Sequence, residues 1–274
     1  MHVTVMHGAG NSFVIPTLAS GTLQGGDLRI LALRLCAAKK TDGMIVLTPA
    51  ADEGADLDML FYNSDGSLGE MCGNGARCAA RWGFEHGLVE DETAIRIRAT
   101  AGLVTARRIS GELYQVRLND PSVVDLGRLA QSDAGLTPCS YVELGDPGIP
   151  HAVVRVFDDA FDDLDALREK GRALRRSEAF PRGANVTFAS IDENDRVRAI
   201  TFERGVEDFT LACGTGCGAT AAALCLLGDV AGETVTVDMP GGTLSVSLRR
   251  AGDTVRDILL TGPTALVEEC ELAL

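Results

Sequence analysis

Two cysteines stand in matching surroundings: Cys72 in Glu70-Met71-Cys72-Gly73-Asn74-Gly75, and Cys213 in Leu211-Ala212-Cys213-Gly214-Thr215-Gly216. A thiol just ahead of a helix meets free backbone N–H groups and the positive end of the helix dipole. That setting favours the thiolate and can bring a thiol pKa down to roughly 3.5–7.5. The glycines at 73, 75, 214 and 216 leave amides unshielded, so each loop can cradle an anion such as a carboxylate. One thiolate and one thiol on opposite faces of a bound amino acid would act as base and acid. The first removes the α-proton, the second returns one to the other face, and the helix N-termini stabilise the charge that develops on the carboxylate. A single Cys-Gly-x-Gly is more often a packing turn. Two in the same context argue for chemistry.

The remaining cysteines are at 36, 78, 139, 217, 225 and 270. Cys36 and Cys225 lie in apolar helical runs and read as packing residues, and Cys78 and Cys217, inside or at the start of helices, read as structural. No Cys-x-x-Cys occurs and only four His are present, which disfavours both a thioredoxin-type centre and a zinc site. Disulfide scaffolds belong to short secreted domains rather than to a chain of 274 residues.

The elements that must hold these loops are mostly strands. β-branched runs bounded by Gly or Asp predict strands at Val3–Met6, Met44–Leu47, Leu57–Tyr62, Ala94–Ala99, Leu103–Ile109 and Tyr114–Leu118. A second set falls at Tyr141–Leu144, Ala152–Phe157, Asn185–Ile191, Arg196–Phe202, Thr234–Met239 and Thr243–Leu248. Helices are expected at Leu28–Ala38, Ala76–Phe84, Leu164–Leu174 and Ala219–Leu227. Both halves read strand, polar loop, Cys-Gly-x-Gly, Ala-rich helix, with the cysteines about 140 residues apart. Asp120-Pro121-Ser122 marks a boundary near residue 119, so two similar domains are expected.

Composition narrows the partners. A net charge of −14 repels phosphate backbones, so nucleic acid is not expected. No apolar run reaches the roughly 18 residues that a membrane span needs, and the N-terminus lacks the pattern of a secretory signal. A cytoplasmic enzyme acting on a small molecule is the plain expectation.

The ordered motifs resemble the diaminopimelate epimerase family along nearly the whole chain. The resemblance is carried by His7-Gly8-Ala9-Gly10-Asn11-Ser12-Phe13-Val14, by Asn63-Ser64-Asp65-Gly66-Ser67, and by Glu70 through Cys78. It continues in Pro150-His151, Asn185-Val186-Thr187-Phe188, Glu203-Arg204-Gly205, Leu211 through Gly216, and Met239-Pro240-Gly241-Gly242. It implies an α/β (α+β) fold of two pseudo-symmetric domains, each a mostly antiparallel sheet wrapped round a central helix. Residues 1–118, completed by 263–274, would carry Cys72, and residues 119–262 would carry Cys213. Cys72 and Cys213 become the acid–base pair, with no pyridoxal phosphate and no metal. His151 and Glu203 would lie beside the reacting centre, and the backbone at Gly73, Asn74, Gly214 and Thr215 would take the α-carboxylate. Asn11, Asn63, Asn185 and Arg204 would hold the distal end, Arg204 pairing with a second carboxylate. A homodimer is compatible with the likeness.

Departures from the family pattern gather at the distal end. Ile149 stands where many members have Asn, Ser12 where Asp is frequent, and the stretch from Glu203 to Cys213 is one residue longer than the commonest form. The expected reaction is interconversion of LL- and meso-diaminopimelate, serving lysine and cell-wall precursor synthesis. A racemase of histidine, glutamate or proline type on the same scaffold is the alternative within enzymes. A protein that binds an amino acid without turning it over is the alternative outside them.

Overall fold

The computed structural model describes residues 1–18, 25–69, 71–132 and 135–273. Glu70 of the first cysteine motif and Leu274 of the terminal segment lie outside the described residues. The chain divides into two units, Met1–Arg117 with Gly262–Leu274, and Leu118–Thr261.

Alternation writes the strands of the first unit. In β6 (Ile95–Ala99), Ile95 and Ile97 are buried and Arg96 is exposed, as a strand with one wet face requires. The other strands are β1 (His2–Gly8), β2 (Asn11–Pro16), β3 (Gly43–Pro49), β4 (Leu57–Asn63), the short β5 (Leu68–Gly69), β7 (Gly102–Ser110) and β8 (Leu113–Arg117). The C-terminal strand Ala265–Glu271 lies antiparallel on β1. From it the order runs β1, β2, β3, β4, β6, β7, β8, antiparallel throughout except for β2–β3 and β4–β6. Helix α1 (Gly25–Lys39) buries Leu28, Leu31 and Leu35 against Met44, Val46 and Tyr62. Helix α2 (Gly73–Glu85) packs on β1, β7 and β8.

The second unit repeats the plan. It comprises β9 (Pro121–Ser132), β10 (Gly135–Gly145), β11 (Gly148–Arg155), α3 (Leu164–Arg175), β12 (Asn185–Ile191), β13 (Val197–Phe202), the short β14 (Phe209–Thr210), α4 (Gly214–Leu227), β15 (Thr234–Met239), β16 (Gly242–Ala251) and β17 (Thr254–Pro263). The order β9, β10, β11, β12, β13, β15, β16, β17 is again antiparallel except at two steps, β11–β12 and β13–β15. These are the same two steps as in the first unit. The C-terminal strand therefore does for β1 what β9 does for β10. Helix α4 is apolar all round, with Ala219 to Leu226 buried, which is the signature of a helix enclosed by its sheet. It packs on β10, β11 and β16.

Several elements go beyond the sequence reading. Both central helices begin earlier than expected, at Gly73 and Gly214 rather than Ala76 and Ala219, because each cysteine is itself the N-cap. Strands β2, β9, β17 and Ala265–Glu271, with the two-residue β5 and β14, had no forecast. The reason is plainest in β9, where Pro121 opens the strand, Gly127 interrupts it, and only Ala130 and Ser132 are buried, leaving no alternation to read.

Tight packing makes one glycine a test of the first unit. A Cβ on Gly43 would sit 2.5 Å from the ring of Phe61 and 2.7 Å from the carbonyl of Tyr62. The backbone oxygen cannot swing aside, so Gly43→Ala is expected to destabilise the protein by about 1–3 kcal/mol in urea unfolding. Unchanged stability would mean that the β3–β4 contact is looser than described.

Candidate active site

The first unit holds Cys72 at the mouth of α2. Its backbone is extended (φ −134°, ψ 110°), and its sulfur accepts the N–H of Gly75 at 3.4 Å. This is an N-cap in which sulfur replaces the usual oxygen. Cys72 is half-buried, beside a small apolar hollow whose walls include Met59, Phe61, Met71 and Val104. On its polar side stands Asn11, carried into place by a two-residue hairpin at Ala9 and Gly10, whose φ angles are 53° and 81°. The Asn11 carbonyl oxygen accepts from Cys72 Sγ at 3.7 Å and from Asn74 Nδ2 at 3.3 Å. The start of α2 reaches β1 only because residue 8 is glycine. A Cβ there would lie 2.9 Å from the carbonyl of Asn74.

Asn11 and Asn74 thus meet at Cys72, next to Gly73. Asn63 is engaged elsewhere. It is exposed at the end of β4 and donates to Ser67 Oγ at 2.9 Å, within a turn that Asp65 also ties.

The second unit holds Cys213 at the mouth of α4, again extended (φ −121°, ψ 103°). Its sulfur lies 3.7 Å from Thr215 Oγ1, and a Cβ on Gly216 would be 3.2 Å from that sulfur. Burial pushes the Cys213 thiol well above its ordinary range, and the carboxylate of Glu203 pushes it further. The N–H of Gly216 and the hydroxyl of Thr215 act in the opposite sense without reversing it. Here burial favours the thiol form, so the helix terminus is not the dominant influence on this sulfur. Desolvation of a fully enclosed sulfur outweighs the dipole.

Glu203 leaves the end of β13 and accepts from Thr210 Oγ1 at 2.6 Å. His151 on β11 and Asn185 on β12 are register partners of a parallel pair. The His151 ring is fully buried, and neither nitrogen has a hydrogen-bond partner among the described residues. Burial, with the nearby guanidinium of Arg204, lowers its pKa to about 3, so it is a neutral imidazole at neutral pH. Asn185 Oδ1 accepts the backbone N–H of Arg204 at 2.8 Å. The Arg204 guanidinium donates to the carbonyl of Arg182 at 3.1 Å and is otherwise exposed, with no ion pair among the described residues.

The loop after Glu203 is held from α3. Glu207, at φ 59°, accepts from Arg175 at 2.9 Å, from Arg176 at 3.3 Å and from the N–H of Gly205 at 3.1 Å. Asp208 accepts from Arg168 at 2.7 Å. The stretch from Glu203 to Asp208 is thereby a clamped turn. Asp42, Arg77, Glu207 and Arg175 had no role in the sequence reading. Only Arg77 carried a signal, as a cation in the run of small residues that opens α2.

Among the described residues, no three His, Cys, Asp or Glu side chains gather as metal ligands would, and no helix is long and apolar enough to cross a membrane.

The fold, in each unit a sheet wrapped round a helix, is one shared with solved structures of the PhzF and proline racemase type. A structure described as a probable proline racemase, from Agrobacterium radiobacter K84, superposes with a TM-score of 0.74 at 19% identity, covering 100% of this chain and 93% of that one. A PhzF-family phenazine biosynthesis protein from Bacillus anthracis gives 0.76 at 16% identity, with 100% and 99% covered. At such identities these likenesses establish the fold alone. The family follows from sequence: the diaminopimelate epimerase model matches residues 3–123 and 145–267. Diaminopimelate epimerase of Chlorobaculum tepidum is 37% identical, covering 96% of this chain and 97% of its own. That of Hydrogenobaculum sp. is 32% identical, with 98% and 97% covered. The chain belongs to the diaminopimelate epimerase family.

The buried imidazole generates a pH prediction. His151 has an ordinary pKa of 6.5 when unfolded and about 3 when folded. The unfolded chain therefore binds the extra proton between those values, and this residue costs stability as pH falls through the window. The loss amounts to at most about 1.4 kcal/mol per pH unit. In urea unfolding followed against pH, His151→Gln should flatten the slope between 6.5 and 3. An unchanged slope would show that the imidazole is not held neutral.

Proposed function

We propose that this chain interconverts LL- and meso-2,6-diaminopimelate without a cofactor, by passing an α-proton between Cys72 and Cys213. The observation that carries the reading is that, in a member of this family, each unit places a cysteine at the N-cap of a buried helix. An epimerase of this kind needs one sulfur to take a proton while the other gives one. Cys213, held as a thiol by burial and by Glu203, suits the giving role at the start. Cys72 then serves as base, its thiolate supported by the N–H of Gly75. In the reverse direction the roles exchange.

As the Cα–H bond breaks, its electron pair moves towards the α-carboxylate. The backbone N–H groups at Gly73, Asn74, Gly214 and Thr215 would receive that charge at two helix mouths. Neutral His151 can accept a hydrogen bond from the α-ammonium, which would give its orphaned ring a partner. Arg204, exposed and free of ion pairs among the described residues, is available to a distal carboxylate, and Asn185 fixes its backbone. Asn11 lies beside the thiol, and its amide nitrogen donates one hydrogen bond to Asp42. Such an isomerase would act in the cytoplasm, on the route to lysine and to cell-wall precursors, as a monomer or a homodimer.

The test is α-hydrogen exchange into deuterated buffer, followed by proton NMR with a reductant present. Exchange is expected with LL- and meso-diaminopimelate and not with histidine, glutamate or proline. Cys72→Ser and Cys213→Ser should each lower epimerisation by about 10²–10⁴-fold or more. Undiminished turnover in either variant would sink the two-thiol account, and exchange of another amino acid instead would move the enzyme to a different substrate. A second test uses oxidation. Because both sulfurs must reach one α-carbon, mild oxidation should join Cys72 to Cys213 and abolish activity, with dithiothreitol restoring it. Full activity after both thiols are shown to be lost would contradict the shared site.

A further inference from the structure

The sulfur of Cys72 lies between a donor and an acceptor. Gly75 N–H supports the thiolate, whereas the Asn11 carbonyl oxygen supports the thiol, since only an S–H can donate to it. Which end of the Asn11 amide faces the sulfur therefore sets the proton affinity of the group. That choice is made at a distance. Asp42 Oδ2 can only accept, and it takes Asn11 Nδ2 at 3.0 Å, together with the N–H and hydroxyl of Ser12 at 2.7 and 2.9 Å. At the other end stands Arg77, which can only donate. Its guanidinium is fully buried and gives a hydrogen bond to Asn74 Oδ1 at 3.0 Å and another to the carbonyl of Gly73 at 3.3 Å. With its oxygen taken by Arg77, Asn74 turns its N–H₂ to Asn11 Oδ1 at 3.3 Å.

The result is a line of aligned dipoles: carboxylate, amide, amide, guanidinium. Turning the Asn11 amide over would set its oxygen against a carboxylate and its N–H₂ against another N–H₂. We propose that Asp42 and Arg77 are positioning residues which lock the Asn11 carbonyl oxygen onto Cys72, and so hold the proton on that sulfur after it has been taken from the substrate. The inference rests on the reading of Cys72 as a proton-transfer group, and not on which amino acid is bound.

Among the described residues, the other titratable groups near this sulfur have different surroundings. Cys78, on the same helix, is held as a thiol by burial, with a pKa pushed up to about 12. The walls of the hollow from β4 and β7 contribute Met59, Phe61 and Val104, all uncharged. On the β1–β2 hairpin, the His7 ring accepts the N–H of Gly10.

The experiment is the pH dependence of Cys72 alkylation by iodoacetamide on the full-length protein, with the Cys72 peptide quantified by mass spectrometry. It requires no turnover, so it remains informative if the substrate assignment fails. Asn11→Ala removes the acceptor and should shift the alkylation midpoint to lower pH. Asp42→Ala frees Asn11 and should shift it in the same direction. Asp42→Asn keeps an acceptor oxygen without the charge, and should leave the midpoint close to wild type. In an Asn11→Ala background, Asp42→Ala should add nothing.

Three outcomes would overturn the proposal. The midpoint could stay put in Asn11→Ala. Asp42→Asn could move it as far as Asp42→Ala, which would mean that charge acts directly. The Asp42→Ala shift could persist without Asn11. Should Asp42→Ala fail to fold, Asn11→Ala and Asp42→Asn still decide the matter.

Discussion

Everything in this molecule is arranged to put a sulfur at the N-cap of a helix that has almost no exposed surface. An ordinary cap uses a hydroxyl or carboxylate oxygen to satisfy free N–H groups. Here the cap residue carries a sulfur, and the proposed proton transfer requires that the helix behind it neither move nor admit water. Enclosure of α4 by its own sheet, with Ala219 to Leu226 buried, is what keeps Cys213 at a fixed place. The same enclosure withdraws water from the thiol and raises its proton affinity. Position and chemistry thus have one cause.

The repeat shows how a single plan yields two different sulfurs. Both units share strand order and the placement of their two parallel steps, and in both a strand ends, a short strand turns back, and a capped helix begins. Within that frame Glu203 follows β13 where Asn63 ends β4, as the parallel pairs Val197–Val237 and Leu57–Ile97 fix. A carboxylate in one unit and an amide in the other is a change of one charge beside otherwise similar loops. The carboxylate helps to keep Cys213 protonated. The amide of Asn63 is spent on a turn with Ser67. Divergence at one register position thus adds to the effect of burial in setting Cys213 apart.

What could be read from the sequence was what local pattern encodes. The two Cys-Gly-x-Gly loops, their strand-before and helix-after context, and the strands with alternating burial such as Ile95–Ala99 all declare themselves within about ten residues. The elements that escaped are those defined by partners far away in the chain. Ala265–Glu271 is a strand because β1 lies beside it, and its mostly exposed side chains leave no pattern of their own. The same holds for the site. The motifs named Cys72, Asn11 and Asn74, but Asp42 sits in an unremarkable Thr41-Asp42-Gly43 and acquires meaning only through three hydrogen bonds to Asn11 and Ser12. The raised thiol of Cys213 is likewise a property of enclosure, which a helix-dipole argument on the bare sequence does not contain.

Ser12 gains a physical role in this light. An acidic residue there would bring a second negative charge beside Asp42 Oδ2, which already accepts three hydrogen bonds. Serine instead supplies two of those three donors, its N–H and its hydroxyl, and Asn11 supplies the third. A hydroxyl at position 12 and a carboxylate at position 42 are therefore complementary, and together they hold the first residues of β2 as one unit. Because Asn11 belongs to that unit, the carbonyl facing Cys72 is only as steady as the Ser12–Asp42 contact behind it. Substitution at position 12 would then be felt at the sulfur even though Ser12 does not touch it.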